Sequence, residues 1–162
     1  MTNPTDDLQE TLRLDGFLPY RLSVLSNAVS RKIADMYERE FDISIWQWRI
    51  IAVLGESDGL TSTEVANRTL MDKPAVSRAA ASLTDRDIIS RKSDDADRRK
   101  AELRLTPKGL KIYAAIKPRA LAYERELLTS LSPEEARMLH GLLTRLAHIA
   151  SPGRNLWSDV KD

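Results

Sequence analysis

Between residues 61 and 105 the hydrophobic period of the chain changes from that of short helices to that of strands, and no other stretch limits the fold as much. Thr61-Ser62-Thr63-Glu64 opens the first helix. Its threonine side chain is placed to accept from the third helical N–H, and its glutamate to reach back to the Thr61 N–H. That helix carries Val65 and Ala66 inward and runs to about Leu70. After a turn at Met71-Asp72, Asp72 is a good N-cap, and Pro74 in the first turn gives up an N–H that would be unpaired there. The second helix runs to about Arg86 with Val76, Ala79, Ala80 and Leu83 as its inner stripe. Residues 88–93 then read as a strand, 94–100 as a charged loop, and Ala101-Glu102-Leu103-Arg104-Leu105 as a second, alternating strand. Two short helices across a turn followed by a charged hairpin spell a winged helix-turn-helix.

The residues left outside these inner stripes point to nucleic acid. On the second helix they are Lys73, Ala75, Ser77, Arg78 and Ser82, a face that is short, small and basic at its N-terminal end. Small side chains permit close approach to a DNA major groove, and an arginine there is able to take a guanine edge with two hydrogen bonds. Taken alone, this face is equally a solvated surface holding one lysine and one arginine. The hairpin tips the balance. Its loop holds three consecutive basic residues, Arg98, Arg99 and Lys100, directly after Asp97, an acid placed to steady an arginine that enters a narrow minor groove. The whole chain has a net charge of only +1. From Arg68 to Lys108, however, eleven basic residues face seven acidic ones, so positive charge is concentrated in this unit.

The flanks are helical. Leu18, Leu22, Leu25, Val29, Ile33 and Met36 recur at spacings of three and four, which predicts one amphipathic helix from 18 to about 40. Ser23, Ser26, Asn27 and Ser30 give it a stripe of small uncharged polar groups, open to two readings: close helix packing, or the polar wall of a ligand cavity. Ser44-Ile45-Trp46-Gln47 opens another helix with Trp48, Ile51, Ala52 and Leu54 as apolar positions. Trp46 and Trp48 fall on different sides of it, so one belongs in the core and the other is available to floor a pocket. Arg49, its single basic residue, is either a surface charge or the anchor of an anionic ligand. Thr106-Pro107 caps a long helix with Pro118 expected to kink it, and Ser132-Pro133-Glu134-Glu135 caps a last one with Leu139, Leu142, Leu143, Leu146 and Ile149 in one stripe.

A winged helix of this size closes its own core, so the helices at 18–40, 107–130 and 133–150 need another partner. Either they bundle within the chain, or they interlock with a second copy, through residues such as Leu18, Leu22, Leu139, Leu142 and Leu146. The expected fold is therefore mainly α with a small β-hairpin. Its DNA-binding domain is expected at 43–106, and a discontinuous dimerisation domain at 1–42 and 107–162.

Other classes find little support. There is no cysteine, and the two histidines, His140 and His148, share one helix without a carboxylate partner, so no metal site and no cofactor are expected. The sequence has no phosphate-binding glycine loop and no paired catalytic carboxylates with a histidine, which argues against an enzyme. Without an apolar run of membrane-spanning length or a secretion signal in the first residues, the expected location is the cytoplasm and no membrane partner is expected.

Residues 18 to 150 resemble the MarR family of bacterial transcription regulators. The likeness is most specific in Ile88-Ile89-Ser90-Arg91, in Asp97-Arg98-Arg99 and in Leu105-Thr106-Pro107-Lys108-Gly109, which are similar to the family's strand, wing and Leu-Thr-x-x-Gly signature. The resemblance implies a triangular homodimer whose terminal helices dimerise and whose two winged lobes read a pseudo-palindromic operator in double-stranded DNA. It implies that Arg99 is the minor-groove arginine, that Asp97 steadies it, and that Ser77 and Arg78 lie at recognition-helix positions. Arg91 corresponds to an arginine that relatives use near DNA phosphates or bound aromatic carboxylates. Peroxide sensing in the family depends on cysteine and zinc sensing on clustered ligands, neither of which this sequence has. The implied signal is a small organic effector of the aromatic-acid or acyl-CoA type, held between the dimerisation helices and the winged lobe. Ser23, Asn27, Ser30, Trp46 and Arg49 lie in the helices that line that cleft. The implied function is a repressor released by its effector; the alternative is a winged-helix protein that binds DNA constitutively.

Overall fold

The computed structural model describes residues 12–94 and 97–152, with residues 93, 94 and 97–100 described by their backbone alone. In chain order the elements are α1 (Leu18–Ala34), α2 (Glu38–Phe41), α3 (Ile45–Gly55), β1 (Leu60–Thr61), α4 (Ser62–Thr69), α5 (Lys73–Asp85), β2 (Ile89–Asp94), β3 (Asp97–Leu105), α6 (Pro107–Leu128) and α7 (Pro133–Ala150). The architecture is mainly helical with one small antiparallel sheet.

The capping residues define the helix starts. Ser44, Thr61 and Ser132 each accept from the third helical N–H and receive the return bond from Gln47, Glu64 and Glu135. Asp72 accepts from the Ala75 N–H at the head of α5, and Thr106 from the Gly109 N–H at the head of α6. Between α4 and α5 the chain turns at Leu70, which has φ 52°, a left-handed conformation that costs a non-glycine residue about 1–2 kcal/mol. Met71, next to it, is buried in the core, and its burial offsets that cost.

Three expectations are corrected. The helix predicted over 18–40 ends at Ala34; after a turn at 35–37, α2 makes one more turn before Asp42, with φ 52°, closes it. The stripe from Leu18 to Met36 omits Tyr37, and it is Tyr37 that turns inward to full burial and interrupts the helix. The wing strands are longer than predicted, because the ladder continues through the charged residues to an Asp94–Asp97 pairing, with a bulge between Lys92 and Asp94. The backbone of Arg98 and Arg99 thus belongs to β3 and not to a seven-residue loop. The sheet also has a third strand, β1, in the order β1-β3-β2, pairing Leu60 with Leu103 and Thr61 with Glu102. A two-residue strand is too short to show a period in the sequence. Pro118 lies inside α6, which runs unbroken from Pro107 to Leu128.

One core holds the winged unit. Ile50, Ile51, Leu54, Val65, Val76, Leu83, Ile88, Ile89 and Leu103 are buried together, and Ile112 and Ile116 bring the first half of α6 into the same cluster. Tyr113 lies against the end of α3, its ring occupying the space that a Cβ on Gly55 would take, 2.5 Å away. The terminal helices behave differently. Ala34 is the only buried residue of α1, and α7 buries none.

Candidate nucleic-acid interface

The recognition-helix candidate is α5, held from behind by Val76, Ala79, Ala80 and Leu83. Lys73, Ser77 and Arg78 are exposed, and neither Lys73 nor Arg78 forms an ion pair among the described residues. Two residues expected on the outer face are placed otherwise. Ala75 is half-buried against the core. Ser82 is half-buried too, and its Oγ accepts a hydrogen bond from Gln47 Nε2 at 2.9 Å. An α-helix advances 100° per residue, so the position four after Arg78 drifts round toward α3.

Nearby cations divide into two groups. Arg68 donates to Ser57 Oγ at 2.8 Å, Arg86 to the carbonyls of Phe41 and Asp42, Lys108 to the Arg86 carbonyl at 2.7 Å, and Arg104 pairs with Glu102 at 2.8 Å. These four brace the lobe. Arg91 and Lys92 are exposed on β2, at the base of the wing. The side chains of Asp97, Arg98 and Arg99 lie outside the described residues.

The family-like signature after β3 has a physical basis here. Thr106 Oγ1 donates to the Asp87 carbonyl at 2.7 Å and accepts from the Gly109 N–H at 3.1 Å, while the Thr106 N–H donates to the Ile88 carbonyl at 3.1 Å. One threonine thus joins the end of α5 to the start of α6, and Gly109 lets α6 lie against that junction.

The candidate effector residues are not drawn into one pocket within the chain. Trp46, 49 % exposed, lines a concavity of about 610 Å³ together with Leu70, Met71, Ala75 and Arg78. Asn27 lines a separate groove of about 490 Å³ along α1, with Arg31, Lys32 and Asp35. Ser23 is exposed and Ser30 half-buried. Arg49 sets its guanidinium 5.2 Å from the centre of the Trp46 ring, a cation–π pairing. Trp48 is the core tryptophan. Its ring stands 5.6 Å from Tyr37 and 6.3 Å from Tyr113, an aromatic column joining the turn before α2 to α3 and α6. Sequence reasoning missed Tyr37, the stacking of Tyr113 on Trp48 and the second bond of Gln47, because each pairing joins different elements of the chain. Among the described residues no helix is long and apolar enough to cross a membrane, and no group of three histidines and carboxylates stands ready to hold a metal ion.

Residues 41–100, which span α3 to the wing, match the family model described as MarR family. The winged unit of this chain is that of the MarR family of DNA-binding transcription regulators. An uncharacterized HTH-type transcriptional regulator of Bacillus subtilis is 25% identical over 118 residues, 73% of this chain and 72% of that one. Uncharacterized HTH-type regulators of Staphylococcus aureus are 27% identical over 85 residues, and the chain spans 58% of their length. A MarR/EmrR family regulator from Acinetobacter sp. ADP1 superposes with a TM-score of 0.79 at 26% identity, covering 86% of this chain and 98% of that one. NadR, solved in complex with 4-hydroxyphenylacetate, shares the fold with a TM-score of 0.73 at 24% identity over 86% of this chain and 98% of that one. The MarR likeness therefore extends beyond the winged unit to the terminal helices. It is a family of regulators, not of enzymes.

Proposed function

We propose that the protein is a homodimeric repressor that reads a pseudo-palindromic DNA operator and lets go when a small organic effector binds. The observation that carries this reading is the pairing of one exposed reading head with an apolar surface that the chain itself leaves uncovered. At the head, Lys73, Ser77 and Arg78 stand exposed on α5. On the terminal helices, Leu18, Leu22, Leu139, Leu142 and Leu146 are all more than a third exposed, and Ile149 is 78 % exposed. A second copy covering that surface makes two heads from one, with residues 43–106 as the DNA-binding domain and 1–42 with 107–162 as the dimerisation domain.

In this reading α5 enters the major groove with Lys73, Ser77 and Arg78, and Arg91, Arg98 and Arg99 follow the backbone and minor groove from the wing, Asp97 holding Arg99. Two half-sites one helical turn apart demand a fixed separation of the heads, so a small pivot of one lobe removes half of the contacts. For an effector of the aromatic-acid or acyl-CoA type, the ligand bound to NadR supports the aromatic acid, and Asn27, Trp46 and Arg49 stand on α1 and α3. Titration with phenolic acids and their coenzyme A thioesters, following tryptophan fluorescence and operator release together, tests it. Silence across the panel favours the second reading, a constitutive DNA binder. One observation supports that alternative: Asn27 and Trp46 line separate concavities in the chain.

A further inference from the structure

Gln47 is 9 % exposed, and its side-chain amide joins two helices at once. Its Oε1 accepts from the Ser44 N–H at 2.8 Å, closing the cap of α3, and its Nε2 donates to Ser82 Oγ at 2.9 Å on α5. The cap fixes which end of the amide faces which way, because only the oxygen is able to accept from a backbone N–H. Nε2 is thereby committed to Ser82. Ser82 lies one turn beyond Arg78 on the same helix, so the bond fixes the rotation of α5 about its own axis just behind its exposed face.

Val76, Ala79, Ala80 and Leu83 hold α5 by apolar burial, which is non-directional. A hydrogen bond is directional and weakens steeply when its angle opens. We infer that Gln47 is a positioning residue for DNA reading: through Ser82 it sets the angle at which Ser77 and Arg78 are presented. The inference rests on α5 being the reading helix. It assigns Ser82 to the protein's own scaffold and not to DNA.

The test measures binding of the full-length protein to its selected operator and to a scrambled duplex, across a range of salt, for Ser82→Ala, Gln47→Leu, Gln47→Glu and the double variant Gln47→Leu/Ser82→Ala. Arg78→Ala serves as the check on α5. Ser82→Ala is expected to weaken operator binding about fivefold, the scale of an indirect effect passed to a neighbouring contact, while the thermal midpoint falls only modestly, the strong helix former on α5 offsetting part of the lost hydrogen bond. Binding to the scrambled duplex and the salt slope should stay unchanged, since no phosphate contact is removed. Gln47→Leu should lose a similar factor, the double variant no more than the larger single loss, and Gln47→Glu, which still accepts from Ser44 and is able to accept from the Ser82 hydroxyl, should stay within about twofold. Weakening of scrambled-duplex binding by the same factor as operator binding for Ser82→Ala would make Ser82 a contact to the DNA backbone and overturn the inference. So would losses that multiply in the double variant, or unchanged operator affinity for Ser82→Ala. If Arg78→Ala also leaves operator affinity intact, the reading of α5 itself has failed.

Discussion

Gly109 lies so close to the carbonyl oxygen of Ile88 that a Cβ at position 109 would stand 2.1 Å from it. That carbonyl also accepts from the Thr106 N–H, so it is fixed where it is. The obstacle is backbone, and no rotamer change relieves it. Gly109→Ala is expected to force α6 away from the wing's base and to cost about 3 kcal/mol, the upper end of the usual range for overpacking. For a chain of this size the thermal midpoint should fall by about 2–4 °C for each kcal/mol lost. A midpoint within 2 °C of the wild type would mean that α6 does not seat on Ile88.

Arg78 and Arg99 are expected to report on different parts of the operator. Arg78→Ala should cost about 1–3 kcal/mol in operator binding and relax the preference at one base position in each half-site, which a panel of single-base operator variants measures. Arg99→Ala should weaken operator binding with the dimer intact, and its effect should be largest where the flanking minor groove is narrow. Operator affinity unchanged by Arg99→Ala would remove the wing from the interface.

Because no residue of α7 is buried within the chain, a charge placed on its apolar stripe should spare the fold of the winged unit. Leu142→Glu is therefore expected to give a monomer by sedimentation equilibrium, with helix content by circular dichroism close to that of the wild type. A single head loses the joint contribution of two half-sites, so operator binding should collapse toward non-specific affinity. A variant that remains dimeric and binds its operator normally would place the interface elsewhere.

Much of the fold was legible because its signals are local. Capping boxes at Ser44, Thr61 and Ser132 and the alternation at 101–105 need only their own neighbours in sequence, and each of these elements is present in the structure. What escaped depends on distant partners. Tyr37 interrupts the first long helix because Trp48 and the core receive its ring, and Ser82 turns to Gln47, 35 residues away, although helical spacing alone put it with Arg78. The cations divide in the same way: nothing in the sequence separates Arg86, spent on the Phe41 and Asp42 carbonyls, from Arg78, which is exposed.

Tyr37 offers a test of how that interruption is stabilised. The ring is fully buried, and its hydroxyl has no hydrogen-bond partner among the described residues. Burial, with the nearby charge of Glu38 adding to it and that of Arg49 opposing it, pushes the phenol up to about 12. A folded value above that of the unfolded chain means that this group's contribution is complete below the unfolded value, near 10, and is lost as pH rises through about 12. The wild type should therefore lose stability across that alkaline window, and Tyr37→Phe should lose less of it. At neutral pH the substitution removes only an unsatisfied hydroxyl, so stability should be unchanged or higher by up to about 1 kcal/mol. Denaturant unfolding at pH 7 and at several points above pH 10 measures both. A loss of more than about 1 kcal/mol at pH 7 would mean that the hydroxyl is hydrogen-bonded in solution, and that the aromatic column of Tyr37, Trp48 and Tyr113 has a polar anchor.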